Sequence, residues 1–309
     1  MQAKSVLALG GLSAALLSLT SCIVGVGDWE RFNKDFHSSY PLKQGGRLSV
    51  ETFNGSIDVS SWDGDNVDIS GTKYGPTQEE ADNLRVDVDH TPDSVYIHVQ
   101  RPTERRNNQG ARLTIKVPRN TQLERLVTSN SSIHTEDGAG PARLRTSNGS
   151  IRVQDLHGEL DAETSNSSIE LAGVDGNVRV HSSNGHIRAE HVNGGVEAET
   201  SNSSVNLAVE RPDKPVRIDT SNSGVELDLP KNFSSNVHID TNNGPITLRL
   251  ADGTNARLSA RTSNSSIDTE FEIKARGELS RNRLEGEIGN GGPLIDLSTS
   301  NGAIRLLRR

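Results

Sequence analysis

The stretch Glu163-Thr-Ser-Asn-Ser-Ser-Ile-Glu-Leu171 is one copy of a unit that recurs along most of this sequence. Ten copies share a central Asn, at Asn54, Asn130, Asn148, Asn166, Asn184, Asn202, Asn222, Asn243, Asn264 and Asn301. From Asn130 onward the intervals are 18, 18, 18, 18, 20, 21, 21 and 37 residues, and the last is close to two periods. A motif that returns at a fixed period of about 20 residues indicates a repeat architecture.

Apolar and polar residues alternate within each unit. Leu160, Ala162 and Thr164 fall on one face of the segment before the Asn corner, whereas Asp161 and Glu163 fall on the other. This alternation indicates a strand, because successive side chains leave a strand on opposite faces. A second corner, again repeated every 18 residues, carries Gly140, Gly158, Gly176 and Gly194. Each period is therefore predicted to form strand, corner, strand and corner.

Two all-β folds are compatible with this pattern. In a single-stranded β-solenoid, which resembles a β-helix, each period of 18–21 residues is one coil, and equivalent residues stack about 4.8 Å apart on the next coil. In an antiparallel meander, the Asn-Gly pairs would instead form hairpin turns. The solenoid is favoured because the period persists and because stacked Asn amides can hydrogen-bond as a ladder. We therefore predict that the nine corner residues from Asn130 to Asn301 form such a ladder.

Outward charges alternate in sign at equivalent positions of successive periods. The two clearest rows are Arg152, Glu170, Arg188 and Arg145, Glu163, His181, Glu199. Like charges on stacked neighbours would repel each other, so this alternation also favours in-register stacking. The composition agrees, because 32% hydrophobic and 3% aromatic residues suit a thin solenoid better than a large globular core.

The first 21 residues are predicted to be a signal peptide. The apolar run Val6–Leu19 follows Lys4 and is too short to span a membrane. It ends in Leu19-Thr-Ser-Cys22, which resembles the lipobox of bacterial lipoproteins, where the Cys becomes the lipidated first residue. We expect lipidation of Cys22, the only cysteine, and anchoring to a membrane; an ordinary secretory signal is the alternative. By the same resemblance, Ile23 rather than Asp after this Cys favours the outer membrane.

The mature chain is predicted to have three parts. Residues 22–46 are predicted to be the lipidated Cys and a tether, residues 47–125 an irregular β region that caps the solenoid, and residues 126–309 the regular solenoid repeats. Within the capping region, Thr77-Gln-Glu-Glu80 is a capping-box pattern that predicts a short helix over Thr77–Leu84. We expect the last residues of the chain to close the stack at its other end.

Three further segments carry a family resemblance. They are Gly46-Arg-Leu-Ser-Val-Glu-Thr-Phe-Asn-Gly-Ser-Ile57, Trp62-Asp-Gly-Asp65 and Leu284-Glu-Gly-Glu-Ile-Gly-Asn-Gly-Gly-Pro293. Together with the Thr-Ser-Asn-Gly/Ser-x-Ile repeats, they resemble a bacterial family of β-strand-repeat proteins that are named as adhesins without an established function. The resemblance covers residues 45–309 and implies an extracytoplasmic, non-enzymatic β-solenoid. It implies no defined ligand and transfers no functional residues.

Candidate catalytic and metal-binding residues are few. His181, His186 and His191 lie close in sequence and could gather a metal ion, but their spacing does not place them on one face, which favours surface residues. Rows of Asp, Glu and Arg could carry polysaccharide cleavage, yet stacking alone accounts for their alternation. A net charge of −8 disfavours nucleic acid as a partner. We therefore predict no enzyme activity, no cofactor and no metal site.

The functional prediction follows from the predicted anchor and solenoid together. We expect a lipid-anchored protein of the bacterial cell envelope that displays a rigid solenoid to a glycan, the cell wall or another envelope protein. The alternatives are a polysaccharide-active enzyme on a β-helix and a purely structural or stress-related envelope component. A cleft with convergent carboxylates would favour the enzyme, whereas a uniform charged surface would favour the other two.

Overall fold

The described part of the chain is almost entirely β-structure. The structure is a computed structural model that describes residues 32–102, 108–275 and 280–309. Among these residues, the single α-helix α1 spans Gln78–Asn83. The strands are β1 (Phe32–Pro41), β2 (Arg47–Glu51), β3 (Ile57–Trp62), β4 (Asn66–Gly75), β5 (Val86–Thr91), β6 (Ser94–Val99), β7 (Gly110–Pro118), β8 (Gln122–Val127), β9 (Ile133–Ala139), β10 (Ala142–Arg145), β11 (Ile151–His157), β12 (Leu160–Thr164), β13 (Ile169–Asp175), β14 (Val178–Ser182), β15 (Ile187–Asn193), β16 (Val196–Thr200), β17 (Val205–Arg211), β18 (Val216–Thr220), β19 (Val225–Leu229), β20 (Val237–Thr241), β21 (Ile246–Leu250), β22 (Ala256–Thr262), β23 (Ile267–Thr269), β24 (Ile273–Ala275), β25 (Arg283–Ile288), β26 (Leu294–Thr299) and β27 (Ile304–Arg308).

The strands form two stacks that face each other across a narrow core. Stack A, which contains the strands that lead into the Asn corners, runs β5-β6-β2-β8-β10-β12-β14-β16-β18-β20-β26-β22-β25-β24. Stack B, which contains the strands that leave those corners, runs β1-β4-β7-β3-β9-β11-β13-β15-β17-β19-β21-β27-β23. Successive coils pair in parallel, as β12 does with both β10 and β14. The predicted all-β solenoid is confirmed, and the antiparallel meander is wrong for the repeats.

The inward positions are those that the alternation predicts. Leu160, Ala162 and Thr164 of β12 are buried, whereas Asp161 and Glu163 between them are half-buried on the outer face. Branched aliphatic side chains stack in register from coil to coil. Each fully buried aliphatic side chain contributes about 1.5–3 kcal/mol, so the stability of the solenoid comes from many small contributions along its length.

The order of the coils departs from chain order at the N-terminal end. The coil of β2 and β3 lies between the coil of β6 and β7 and the coil of β8 and β9. Outside it, β5 pairs antiparallel with β6, and β4 pairs antiparallel with both β7 and β1. Antiparallel strands therefore cover the first parallel coils of both stacks.

The C-terminal end shows the same departure. Strand β26 pairs in parallel with both β20 and β22, and β27 pairs in parallel with both β21 and β23. The 37-residue interval before Asn301 is therefore not two steps along the stack. Our expectation that the last residues close the stack is wrong, because β22 to β25 lie outside the final coil.

Part of the range predicted to be a tether is a strand. Strand β1 covers residues 32–41 and pairs antiparallel with β4 along its whole length. Phe36 and Tyr40 are partly buried against the core, which gives this segment an apolar face that a tether does not need. The prediction of a tether over residues 22–46 is therefore wrong for this strand. Cys22, the predicted signal peptide and the start of the predicted tether lie outside the described residues.

The short helix begins where the capping box predicts it. The Thr77 side chain accepts a hydrogen bond from the backbone nitrogen of Glu80 at 3.2 Å, and α1 follows directly. Ala81 is its buried residue, so the helix is held on the solenoid by a small apolar contact. None of the described helical structure is long and apolar enough to cross a membrane.

A charge placed inside a coil should destabilise the solenoid strongly. Val205 of β17 has 0% exposure and stacks between Ile187 and Val225, so Val205→Asp would bury a carboxylate with no partner. The matched control is Asn206→Asp, one residue further on, which adds the same charge on the exposed face between Arg188 and Glu226. We expect a much lower melting temperature for Val205→Asp only, measured by circular dichroism. Equal losses in both variants would contradict the inside–outside assignment.

Candidate functional site

The corner asparagines form one continuous row of side-chain hydrogen bonds. Each Nδ2 donates to the Oδ1 of the Asn on the adjacent coil, over 2.6 to 2.9 Å. In stack order the row is Asn54, Asn130, Asn148, Asn166, Asn184, Asn202, Asn222, Asn243, Asn301 and Asn264. Asn54 at the N-terminal end donates to the backbone carbonyl of Gln109 at 3.0 Å. All donors point the same way, so each bond polarises the next.

The three histidines considered as metal ligands lie apart from one another. Each is next to a different carboxylate: His181 Nδ1 lies 3.4 Å from Glu199, His186 Nε2 lies 3.8 Å from Glu170, and His191 Nδ1 lies 2.5 Å from Glu210. The hydrogen bond with Glu210 raises the pKa of His191. Within the described ranges, no group of three or more His, Cys, Asp or Glu side chains is arranged to hold a metal ion.

The predicted charged rows are confirmed, but the alternation of sign is not universal. Glu170 lies in register between Arg152 and Arg188, and Arg152 Nη2 donates to it at 2.7 Å. This hydrogen bond lowers the pKa of the Glu170 carboxyl. Further along stack A, like charges follow one another: Glu199, Asp219 and Asp240 are in register. Exposed ion pairs contribute about 0–1 kcal/mol each, so these rows affect stability only weakly.

A groove rich in arginine opens on the outer face of stack A. It has a volume of about 610 Å³. Its lining residues, which define the arginine groove, are Ser49, Glu124, Arg125, Val127, Arg143, Arg145 and Asp161. They belong to β2, β8, β10 and β12, which are neighbours in the stack. The groove therefore crosses four successive coils.

A β-bulge in β8 shapes this groove. Leu48 of β2 is opposite Leu123, but the next residue, Ser49, is opposite Arg125. Glu124 is thus an extra residue in β8, and both Glu124 and Arg125 are exposed. A bulge inserts one residue into one strand and redirects the neighbouring side chains. Here it places two consecutive charged side chains outside the solenoid.

A second groove, which we call the long groove, continues along the same face. It has a volume of about 520 Å³, shares Arg143 and Asp161 with the arginine groove, and passes Arg179 and Arg217. Together the two grooves are lined by six basic side chains and four carboxylates. This surface is more basic than the protein as a whole, whose net charge is −8.

The sequence profile of a family described as Toastrack DUF4097 matches residues 46–244. That match covers more than half of the chain. The chain belongs to the Toastrack DUF4097 family. This result confirms the family resemblance drawn from the repeats and the β-solenoid architecture that it implies.

Three solved structures are similar to this Toastrack chain at low sequence identity. A candidate cell adhesion protein from Clostridium sporogenes ATCC 15579 has 10% identity and a TM-score of 0.25, and the match covers 89% of this chain and 100% of that chain. A candidate adhesin from Bacteroides fragilis NCTC 9343 has 13% identity and a TM-score of 0.37, and the match covers 89% of this chain and 97% of that chain. A candidate lipid-binding protein from Parabacteroides distasonis ATCC 8503 has 12% identity and a TM-score of 0.35, and the match covers 91% of this chain and 98% of that chain. No curated protein matches the sequence. At these TM-scores the three structures do not bear on what this chain binds.

A second ladder in this Toastrack chain was not predicted from the sequence. Two residues before most corner asparagines stands a buried Thr or Ser whose hydroxyl donates to a backbone carbonyl of an adjacent coil. Thr146 donates to Ser131 and Thr164 to Gly149, both at 2.9 Å. The recurring Thr-Ser-Asn motif carries the pattern, but alternation alone shows only that this Thr points inward.

Loss of an interior ladder amide should cost more stability than loss of a terminal one. Asn184 makes two ladder bonds, donating to Asn166 and accepting from Asn202, whereas Asn264 makes one, to Asn301. A net hydrogen bond contributes about 0.5–1.5 kcal/mol, so Asn184→Ala should destabilise about twice as much as Asn264→Ala. Urea unfolding of both variants tests this. Equal effects would show that the ladder does not act as a connected row.

Proposed function

We propose that this protein is a non-catalytic, lipid-anchored binding protein of the bacterial cell envelope that displays its solenoid for adhesion to a glycan, the cell wall or another protein. The observation that carries this proposal is the outer face of stack A. Polar and charged side chains stand there in straight rows at the spacing of the strands, and the arginine groove and the long groove run across successive coils. An extended ligand can contact such a face at many repeated positions.

The carboxylates on this face support binding rather than hydrolysis. Asp161 lies 3.7 Å from Arg145, and Glu197 lies 3.4 Å from Arg179. Glycoside hydrolysis needs two carboxyl groups placed on either side of the scissile bond, one of them with a raised pKa. Here each carboxylate is instead paired with an arginine, Asp161 half-buried and Glu197 exposed on the outer face. Stack A thus provides paired charges for recognition.

A binding assay that also detects products separates this proposal from the polysaccharide-active enzyme. The full-length protein, purified in detergent, would be titrated with peptidoglycan and with neutral and acidic polysaccharides by calorimetry, while new reducing or unsaturated ends are measured in the same samples. We expect saturable binding to at least one polymer without product. Product formation would contradict the proposal and show that the protein is a polysaccharide-active enzyme. Absence of both binding and product across the panel would contradict a glycan or cell-wall ligand.

Substitution of Cys22, the only cysteine in the sequence, tests the proposed lipid anchor. Cys22→Ser removes the thiol to which lipid would be attached, so the protein should move from the membrane fraction to the soluble fraction of fractionated cells. Ser21→Gly keeps a small residue before the thiol and serves as the matched control, which should stay with the membrane. If Cys22→Ser is processed at the signal peptide and still fractionates with the outer membrane, lipid anchoring at this residue is contradicted.

A further inference from the structure

The arginines of the arginine groove are weakly neutralised by the protein itself. Arg125 lies 3.9 Å from Glu51, and Arg145 lies 3.4 Å from Glu163 and 3.7 Å from Asp161. These distances exceed those of a charge-assisted hydrogen bond, which are about 2.7–2.9 Å. Arg143 is exposed, and no ion pair to it occurs in the described part of the chain. The groove therefore offers guanidinium groups that an external anion can engage.

The stacking of these arginines adds to the positive potential. Leu126 of β8 is opposite Leu144 of β10, and the residues that precede them, Arg125 and Arg143, both line the arginine groove. Like charges opposite each other on adjacent strands are destabilising. A bound anion between the two guanidinium groups would remove this repulsion. An Arg can also hold a carboxylate through two parallel hydrogen bonds.

An exposed aromatic ring stands in the same row. Tyr96 of β6 is opposite Ser49, and Ser49 is opposite Arg125. The Tyr96 side chain is 36% exposed, and its ring stacks on His98 at a centroid distance of 6.0 Å. Its hydroxyl donates to Glu51 at 3.2 Å, which holds the ring in place. The other oxygen of the same carboxylate lies 3.9 Å from Arg125, so Glu51 links the ring to this arginine at the edge of the groove.

This hydroxyl keeps its proton at ordinary pH. Burial, together with the charge of Glu51 and the hydrogen bond to it, raises the pKa of Tyr96. A neutral ring with an apolar face and a polar edge is suited to a ligand that is itself partly apolar and partly polar. The apolar face of a sugar ring has this character.

Arginines also recur beyond the arginine groove at every second coil. Asp161 lies between Arg143 and Arg179 in register, and Glu197 lies between Arg179 and Arg217. Two strand spacings separate successive arginines by about 9.5 Å. That distance is comparable with the length of a disaccharide. The carboxylates between them can accept hydrogen bonds from sugar hydroxyl groups.

We propose that the arginine groove binds an acidic polysaccharide, with a carboxylate of the chain on Arg143 and Arg125 and a sugar ring on Tyr96. This inference rests on the proposed binding function and names its ligand. The polymer extends along the long groove, where its later carboxylates reach Arg179 and Arg217. Nucleic acid fits less well, because duplex DNA carries one charge per about 1.7 Å and would meet Glu124 and Asp161 as well as the arginines.

The test uses the full-length protein in detergent with purified oligogalacturonate and oligoalginate as probes. The methyl esters of the same oligosaccharides keep the sugar rings and lose the charge. We expect binding of the acids that weakens as salt is raised, and binding of the esters that is at least about tenfold weaker, since one lost charged contact is worth about that factor. Equal binding of acid and ester would overturn the proposal.

Single substitutions test where on the protein the acidic polysaccharide binds. Arg143→Ala should weaken binding of the acid about tenfold, whereas Arg305→Ala, which removes an exposed arginine from β27 on the opposite stack, should not change it. Tyr96→Phe should keep the affinity, and Tyr96→Ala should reduce it. Unchanged binding in both Arg143→Ala and Tyr96→Ala would overturn the assignment of the groove.

The remaining outcomes separate this inference from the function on which it rests. If single-stranded DNA or dextran sulfate binds as tightly as the uronates and is equally sensitive to Arg143→Ala, the groove is a general polyanion site and the acidic-polysaccharide assignment is wrong. If the uronates do not bind but peptidoglycan or a neutral glycan does, the proposed binding function stands and this inference falls.

Discussion

In-register parallel stacking is the constraint on which the rest of this structure depends. Adjacent strands lie about 4.8 Å apart, so the nearest neighbour of each side chain is the equivalent residue of the next coil. An amide at a corner satisfies this arrangement, because it donates toward one coil and accepts from the other, as Asn166 and Asn184 do. A buried hydroxyl satisfies it by donating to a neighbouring carbonyl, as Thr164 does. A carboxylate only accepts when ionised, so it could not continue either row.

The same constraint explains how much the sequence predicts. Period, strand alternation and the inward set around Leu160 follow from local spacing and agree with the structure. The order of coils at the ends does not follow from local spacing, because spacing alone cannot distinguish a coil added at the end from one inserted before it. Strand β1 could not be predicted from the repeat either, because its aromatic residues, which include Phe36 and Tyr40, lie outside the repeated motif. The arginine groove depends on register across strands distant in sequence, and the extra residue Glu124 is visible only once β2 and β8 are paired.

The antiparallel strands at the ends solve a problem that stacking creates. A stack of parallel strands ends in unpaired backbone groups, which would recruit another chain. Here the outermost parallel coils are followed by antiparallel strands, β5 and β4 at one end and β25 at the other. Antiparallel pairing changes the hydrogen-bond pattern, so the edge no longer matches the first strand of a second copy. The short, exposed β23 offers little edge in stack B.

A perfectly regular stack offers a ligand many equivalent positions, whereas a departure from regularity selects one. On stack A, the bulge in β8, the small Ser49 and the exposed Tyr96 coincide within a few strands. Three arginines line the same groove there, and the carboxylates paired with Arg125 and Arg145 lie 3.4 to 3.9 Å away, which neutralises them only in part. Arg143 is followed in register by Asp161 and Arg179, so the regular alternation of charge begins at this arginine and is interrupted only on the side of the bulge. A bound anion would make this arrangement of arginines more favourable, which is why we place the proposed binding site on the irregular part of the face rather than on its regular repeat.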